Sequence, residues 1–157
     1  METHAPIPDL IRLARTPADA DAVLRMMETF CGLFNYPFDQ PLRQMLIRQV
    51  LENPSLGSLW LVELENKPVG YAALTYGFAY EFGGKTALVD ELFIEEDYRG
   101  AGLGRRILQS LQKAADELGV SVIHLQTEKY NPRAKQLYES AGFVDQERST
   151  LTWKKPD

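Results

Sequence analysis

A glycine-rich segment at residues 98–106, with the sequence YRGAGLGRR, constrains the fold of this chain more than any other feature. The preceding residues 87–94 form an apolar run that is typical of a buried strand. After the segment, apolar residues recur at helical spacing and predict a helix over residues 103–118: Leu103, Ile107, Leu108, Leu111, Ala115 and Leu118. The chain is therefore expected to pass from a strand, through a glycine turn, into a helix.

This order of elements favours an anion site at the start of the helix. Glycines carry no side chain that would keep an anion away from the backbone, and the first N–H groups of a helix have no partner within it. The positive end of the helix dipole, with Arg105 and Arg106 close by, favours a pyrophosphate at this place. We therefore expect the chain to bind a phosphorylated cofactor.

Two common phosphate loops do not fit this segment. A Walker loop has Lys and then Ser or Thr after its last glycine, whereas Arg105 and Arg106 follow Gly104 here. A dinucleotide fingerprint has a third glycine where Arg105 stands, and it follows the first strand of its domain. About ninety residues precede this loop, so a dinucleotide-binding module is a less favoured alternative.

The remaining pattern, Arg99-x-x-Gly102-x-Gly104 after a strand, resembles motif A of the GNAT acetyltransferases, and the resemblance extends over about residues 68–143. It implies acetyl-CoA as the cofactor, with the pyrophosphate on the loop formed by Arg99, Gly100, Ala101, Gly102, Leu103, Gly104 and Arg105. It also implies that a strand backbone pairs with the pantetheine arm, through Leu92, Phe93 and Ile94. Such pairing requires a splay between this strand and residues 122–126.

Composition sets the broad class of protein. With 157 residues, 45% hydrophobic and 25% charged, we expect one domain over residues 1–157. No apolar run approaches the ~20 residues of a membrane span, and residues 1–12 lack the pattern of a signal peptide, so we expect a cytoplasmic protein without a membrane partner. With one cysteine, Cys31, and two histidines, neither an internal disulfide nor a metal cluster is expected. A net charge of -5 disfavours a nucleic-acid partner.

Periodicity and capping residues predict an α/β fold with a mixed sheet. The GNAT fold, which has this order of elements, implies about six to seven strands flanked by about four helices. The predicted strands lie at 11–13, 59–64, 69–76, 87–94 and 122–126, with two short ones in 143–154. The predicted helices lie at 17–30, 40–51, 103–118 and 131–141, and residues 77–85 are predicted as a loop. Thr16 and Asp39 are predicted to cap the first two of these helices.

Acetyl transfer to an amine needs a base, because an alkylamine with a pKa of ~10.4 is almost wholly protonated near neutral pH. Asp90 and Glu91 lie in the strand before the loop, and strand alternation predicts that they point to opposite faces, so that only one can serve. The segment VDELFI resembles the polyamine-acetylating branch of the family, which implies Asp90 as the base and Glu91 as the reserve. The alternative is a buried carboxylate that pairs with Arg or a backbone end.

Two residues near the last predicted helix have competing interpretations. The family resemblance implies that Tyr138 donates a proton to the departing sulfur of CoA, whereas helical spacing alone makes it a core aromatic. Asn131 precedes Pro132 and is a good helix N-cap, while the resemblance implies a contact with the cofactor. The sequence leaves both alternatives open.

The acceptor site is expected from aromatic residues and one carboxylate in segments where the family binds its substrate: Phe34, Tyr36, Tyr76, Tyr80 and Glu81. Aromatic rings with a carboxylate can hold an alkylammonium group. The alternative is that these aromatics fold their loops onto the core. Gln126 stands where some peptide-acetylating relatives carry a glutamate base, which weakens a protein N-terminus as the acceptor.

The resemblance therefore implies an N-acetyltransferase that moves an acetyl group directly from acetyl-CoA to a small-molecule primary amine in a ternary complex. Acetylation of protein lysines or N-termini is an alternative within the same chemistry. An acetyl-CoA sensor without catalysis is an alternative from another class. Many family members pair through their C-terminal strands, so residues 148–153 are a candidate homodimer edge.

Overall fold

The computed structural model describes residues 10–157, which form one mixed sheet with helices on both faces. Residues 1–9 lie outside the described residues. They make up most of segment 1–12, for which no signal peptide is expected. The strands of the described part follow one another in the sheet: β1 (Ile11–Leu13), β2 (Gly57–Leu64), β3 (Lys67–Ala79), β4 (Gly84–Ile94) and β5 (Val122–Leu125). Neighbours from β1 to β4 are antiparallel, whereas β4 and β5 are parallel.

The helices lie close to the predicted ranges: α1 (Pro17–Leu33), α2 (Gln40–Glu52), α3 (Leu103–Glu117) and α4 (Pro132–Ser140). Thr16 and Asp19 form a capping box at α1, and Asp39 caps α2 through the backbone N–H of Leu42. None of the helices within residues 10–157 is long and apolar enough to cross a membrane.

Strand alternation divides the core into two layers, one on each face of the sheet. On one face, Leu61 and Tyr71 pack with α1 and α2 through residues such as Met27 and Ile47. On the other face, the sheet packs against α3 through a second set of apolar residues: Val62, Val69, Ala72, Leu74, Leu103, Ile107 and Leu111. We call these the α1/α2 face and the α3 face.

The sheet opens beside β4, as the predicted splay requires. Parallel pairing between β4 and β5 runs only from Thr86 with Val122 to Val89 with Leu125. β4 continues for another five residues to Ile94, whereas β5 ends at Leu125. The edge of β4 after Val89 therefore faces no strand within residues 10–157, and its backbone groups are available on that side.

The sheet has fewer strands than predicted. Residues 143–157 form no strand, so the two short strands expected in 143–154 are wrong, and the described sheet has five strands. Leu151 and Trp153 are 94% and 81% exposed, so no element covers them. A strand needs a partner edge, and a local hydrophobic pattern does not provide one. The strand edge expected at 148–153 is absent with them, and the homodimer stays a prediction.

The predicted loop at 77–85 is mostly a β-hairpin. β3 and β4 pair as far as Ala79 with Gly84, so only residues 80–83 form the turn. Gly83 adopts a φ of 77°, which the tight turn requires and which glycine accepts without strain. Cross-strand pairing extended these strands beyond the residues that their own hydrophobic pattern marks.

Gly70 allows β3 and β4 to approach closely beside the last residues of β4. A Cβ at Gly70 would overlap the carbonyl oxygen of Phe93, and backbone cannot move away as a side chain can. We expect Gly70→Ala to lower the free energy of unfolding by about 2 kcal/mol or more, measured by urea denaturation. Gly32→Ala is the control, because its Cβ would meet no atom within 4 Å and alanine favours the helix. Equal stability of both variants would contradict the close approach.

Candidate active site

The glycine turn between β4 and α3 has the geometry of an anion site. Gly100 and Gly102 have φ values of 89° and 74°, in the left-handed region that favours glycine. Gly102 is the N-cap of α3, and no side chain in residues 10–157 caps this helix. The first N–H groups of α3 therefore lie open for an acceptor from outside the chain.

A cleft of about 230 Å³ lies against this turn, and Arg106 rather than Arg105 contributes to its wall. Arg99 and Ala101 of the predicted loop also line the cleft. Nε of Arg99 donates to the carbonyl oxygen of Ile94 at 2.7 Å, so this side chain ties the turn to the end of β4. The cleft thus brings two arginines close to the uncapped start of α3, and Asp97 also lines it.

Gly104 serves helix packing rather than the turn itself. A Cβ at this position would lie 3.1 Å from Cδ2 of Leu137 in α4. The glycine therefore lets α4 pack close to the start of α3. The last glycine of the motif positions the helix that carries Asn131 and Tyr138.

A β-bulge in β4 sets the direction of the two candidate carboxylates. Glu91 pairs with Ala73 and Val89 pairs with Leu74, so Asp90 is an extra residue on β4 without its own partner on β3. Val89 packs in the core of the α3 face, and Leu92 and Ile94 pack there too. A regular strand would put residues 89 and 92 on opposite faces, so the bulge has changed the alternation by one residue.

The expectation that Asp90 and Glu91 point to opposite faces is therefore wrong. Glu91 lies on the α1/α2 face, where Tyr71 donates a hydrogen bond to it. Asp90 follows Val89 in normal alternation, which places it on the same face. Both residues line one cavity, and only a register break can achieve this in adjacent positions of a strand.

Glu91 is held by a buried network. Nη1 of Arg43 donates to both carboxylate oxygens at 2.9 Å, and the hydroxyl of Tyr71 donates to Oε1 at 2.9 Å. Nη2 of Arg43 lies 3.3 Å from Sγ of the buried Cys31. Burial raises the pKa of the fully enclosed Tyr71 phenol, which therefore stays a donor. The predicted alternative of a carboxylate paired with Arg is what Glu91 shows.

Asp90 is in a different state from its neighbour. Within the described part of the chain, no hydrogen bond or ion pair engages its carboxylate. Loss of water and the negative charge of Glu91 raise the pKa of Asp90, and the positive charge of Arg43 offsets only part of this. The site thus holds one carboxylate, Glu91, that is paired with Arg43, and a second, Asp90, that has no such partner among the described residues.

The cavity that both carboxylates line has a volume of about 280 Å³ and lies between α1, α2 and the sheet. Most of its wall is apolar, including Met27, Leu46, Ile47, Val50, Leu56 and Leu59. Gln49 and Thr75 are the uncharged polar residues of the wall. Arg43 contributes from α2. No group of three or more His, Cys, Asp or Glu in residues 10–157 is placed to hold a metal ion.

Sequence reasoning missed Arg43 and Tyr71, although α2 carried a signal. Arg43, Ile47 and Val50 share one helical stripe, and a charged residue on a stripe that faces the core needs a buried partner. Tyr71 gave no such signal, because an aromatic residue in a strand is ordinary core composition. Its role depends on Glu91, which is distant in sequence.

The aromatic residues predicted for the acceptor do not line this cavity. Phe34 and Tyr36 stack on each other with ring centroids 5.7 Å apart after α1. The hydroxyl of Tyr76 donates to Oγ of Ser58 at 2.8 Å, and its ring packs on the α3 face. Tyr80 is 94% exposed, and Glu81 accepts two hydrogen bonds from Arg148. The structure therefore does not bring these five residues together with Asp90.

The structure places Asn131 and Tyr138 at opposite ends of α4. Oδ1 of Asn131 accepts from the backbone N–H of Ala134 at 3.1 Å, which confirms the capping role. This bond leaves the two N–H donors of its amide for another partner. Tyr138 is half-buried with its ring against Phe143, and burial raises the pKa of its phenol. Tyr138 therefore keeps its proton well above neutral pH.

An open strand edge beside an uncapped glycine turn, with two acidic residues on the same strand, is the arrangement that the resemblance to the GNAT acetyltransferases implies. Residues 23–143 match the model of the acetyltransferase (GNAT) family. The chain belongs to this family and is an acetyl-CoA-dependent N-acetyltransferase.

Individual relatives agree with this assignment. The chain is 28% identical over 136 residues to the uncharacterized N-acetyltransferase YhfO of Bacillus subtilis. The aligned region covers 86% of this chain and 89% of that protein. It is 24% identical over 111 residues to the thialysine N-epsilon-acetyltransferase of Bos taurus, and the aligned region covers 68% of this chain and 59% of that protein. The solved structure of the integron cassette protein HFX_CASS3 comes from the mobile metagenome of Cole Harbour Salt Marsh and superposes with a TM-score of 0.83 at 28% identity. The superposition covers 94% of this chain and 91% of that chain.

The Arg43 network predicts a large cost for losing its cation. Arg43→Met leaves Glu91 as a buried charge without its ion pair, and we expect a loss of about 3 kcal/mol in the free energy of unfolding by urea denaturation. Arg48→Met is the matched control, because Arg48 is exposed on the same helix, and its change should stay within about 0.5 kcal/mol. A similar cost for both variants would contradict the network's role.

Proposed function

We propose that this enzyme transfers the acetyl group of acetyl-CoA to the primary amine of a small molecule, directly, while both are bound. The observation that carries the proposal is the bulge at Asp90. It places an unengaged carboxylate where the open edge of β4 meets the cavity on the α1/α2 face. A base is needed at this place, because the acceptor arrives as an ammonium ion.

The residues present fit acetyl-CoA, which would supply the acetyl group as an activated thioester. The backbone of Gly100, Gly102 and the first turn of α3 would hold the pyrophosphate, since this helix start is uncapped and glycine-rich. The guanidinium groups of Arg99 and Arg106 line the same cleft. The open edge of β4 at residues 92–94 would pair with the pantetheine amides in the manner of an added strand.

Direct transfer is supported by the two-sided layout of the site. Leu92 and Ile94 pack with α3 on the face where the glycine turn begins, whereas the carboxylate cavity lies on the α1/α2 face. The two substrates would therefore approach from opposite faces and meet at the bulge. No nucleophilic side chain is needed as an acetyl carrier between them, and the buried Cys31 is engaged with Arg43.

Asp90 rather than Glu91 is the proposed base. The oxygens of Glu91 already accept hydrogen bonds from Arg43 and Tyr71, so this carboxylate has other partners and is not oriented by an acceptor amine. The raised pKa of Asp90 brings its basicity closer to that needed near neutral pH. A backbone N–H of β4 near Leu92 would steady the developing negative charge on the acetyl oxygen.

Tyr138 is the proposed acid, and its hydroxyl would hold the proton that the departing sulfur takes up. Its raised pKa keeps the phenol protonated through the working range. Asn131 would contribute an amide N–H to the cofactor while its oxygen caps α4. The cavity of about 280 Å³ is slightly smaller than the ~300–1,000 Å³ typical for drug-sized ligands, so it would hold a small amine.

Asp90→Asn should lower kcat/KM about 100-fold or more, because the ammonium substrate loses its base. In the wild type, kcat/KM should rise with pH through the raised pKa of Asp90, since only the ionised form accepts a proton. In Asp90→Asn this acid limb should vanish, and the residual rate should climb toward the amine pKa of ~10.4. The measurement is a pH profile of CoA release with acetyl-CoA saturating and the amine well below its KM, so that the rate reports kcat/KM.

Glu91→Gln provides the comparison for this profile. It should keep the acid limb while lowering thermal stability, because Arg43 loses its charged partner. Asp90→Asn should not lower thermal stability, because a raised pKa means that the folded state disfavours the charged form. An acid limb lost in Glu91→Gln and kept in Asp90→Asn would reverse the assignment.

Tyr138→Phe tests the acid and the overall activity in one experiment. Wild-type enzyme, acetyl-CoA and a panel of amines and lysine peptides are analysed by mass spectrometry for acetylated product. We expect product on small amines and a loss of kcat of roughly 10- to 100-fold in the variant. Tyr130→Phe is the control, because Tyr130 is 95% exposed, and it should match the wild type. Product on peptides alone would overturn the small-molecule acceptor, and acetyl-CoA binding without product would indicate a sensor.

A further inference from the structure

We propose that the acceptor is a monoamine with an uncharged apolar body, such as an alkylamine, rather than a polyamine or an amino acid. This inference rests on the proposed function and specifies the substrate class of the same cavity. Three properties of the cavity support it: the chemistry of its wall, the balance of its charges and the character of its entrance. Each is independent of the cofactor site.

The wall of the cavity favours a hydrocarbon body. Ile47 and Leu59 are 3% and 4% exposed and form its inner part, and Met27 and Val50 complete it from the two helices. Polar groups hydrogen-bonded to water would lose those bonds here at a cost of about 1–3 kcal/mol each. An alkyl chain of the acceptor instead gains free energy on leaving water.

The charges of the cavity balance at one unpaired negative charge. Arg43 and Glu91 neutralise each other at 2.9 Å, which leaves Asp90 as the one carboxylate in this wall without an ion pair among residues 10–157. One ammonium group is matched by Asp90, but a second would be desolvated against apolar side chains. A carboxylate on the acceptor fares no better, because Arg43 already donates to Glu91 and Cys31.

In the part of the chain that the structure describes, the exposed residues that line the cavity around its entrance include no opposite charge for a second ammonium group besides Asp90: Leu46, Leu56, Gln49 and Thr75 are uncharged. Leu46 and Leu56 line the cavity and are 43% and 47% exposed, although leucines on α2 and its following turn would ordinarily pack inward. Among residues 10–157, Asp90 and Glu91 are the two acidic residues that line the cavity, and no third carboxylate joins them. An acceptor with a charged far end would therefore meet no opposite charge in this part of the wall.

Three acceptors with the same five-carbon chain test the proposal. Pentylamine ends in a methyl group, cadaverine ends in a second amine, and aminopentanoate ends in a carboxylate. We expect kcat/KM for pentylamine to exceed that for either charged compound by about 10-fold or more, measured as acetylated product by mass spectrometry. With CoA present, pentylamine should also raise the thermal unfolding midpoint more than the other two.

A designed charge makes the test reciprocal. Leu46→Glu places a carboxylate at the exposed entrance and should shift the ratio of kcat/KM for cadaverine over pentylamine upward by roughly fivefold. Met45→Glu is the matched control, because Met45 is 48% exposed on the same helix but does not line the cavity. The control should leave the ratio unchanged.

The outcomes separate this inference from the proposed function. A preference for cadaverine or aminopentanoate in the wild type would overturn the apolar acceptor while leaving amine acetylation intact. An equal shift in both glutamate variants would also overturn it, because the effect would then be one of overall charge. Acetyl-CoA binding with no product on any amine would overturn the proposed function, and the inference with it.

Discussion

The register break at Asp90 is the constraint on which the rest of the site depends. A regular β4 would place Glu91 on the α3 face with Val89, where Arg43 of α2 could not reach it. The extra residue turns both carboxylates toward α1 and α2, and it returns Leu92 and Ile94 to the core beside α3. One inserted residue thus keeps the cavity lined by both carboxylates and the glycine turn on opposite faces of the sheet.

The buried network gives the two carboxylates different chemistry. A buried ion pair gains little net stability, because the desolvation of both charges offsets most of their attraction. Its consequence at this site is selective, since Arg43 and Tyr71 occupy the oxygens of Glu91 and leave Asp90 unengaged. The negative charge of Glu91 in turn raises the pKa of Asp90. The buried ion pair and the proposed proton acceptor are therefore parts of one arrangement.

Local pattern predicted the elements whose boundaries are set by local physics. The helix caps at Thr16, Asp39 and Asn131 stand where they were expected, because a capping bond joins residues only three apart. The same reasoning failed in the C-terminal tail, whose expected strands are absent, and in the 77–85 loop, which is mostly hairpin. Strands depend on partners that are distant in sequence, so their extent is not encoded locally.

The sequence by itself determined the family, the glycine turn and the presence of two acidic residues beside it, because these follow from residue types at short spacing. Only the tertiary structure decided that both acids share a face, and that one of them is neutralised by Arg43 and Tyr71. It also placed the cavity between α1, α2 and the sheet, away from the aromatic residues expected to line it. A bulge and a long-range ion pair arise from how elements pack, and no local pattern carries that information.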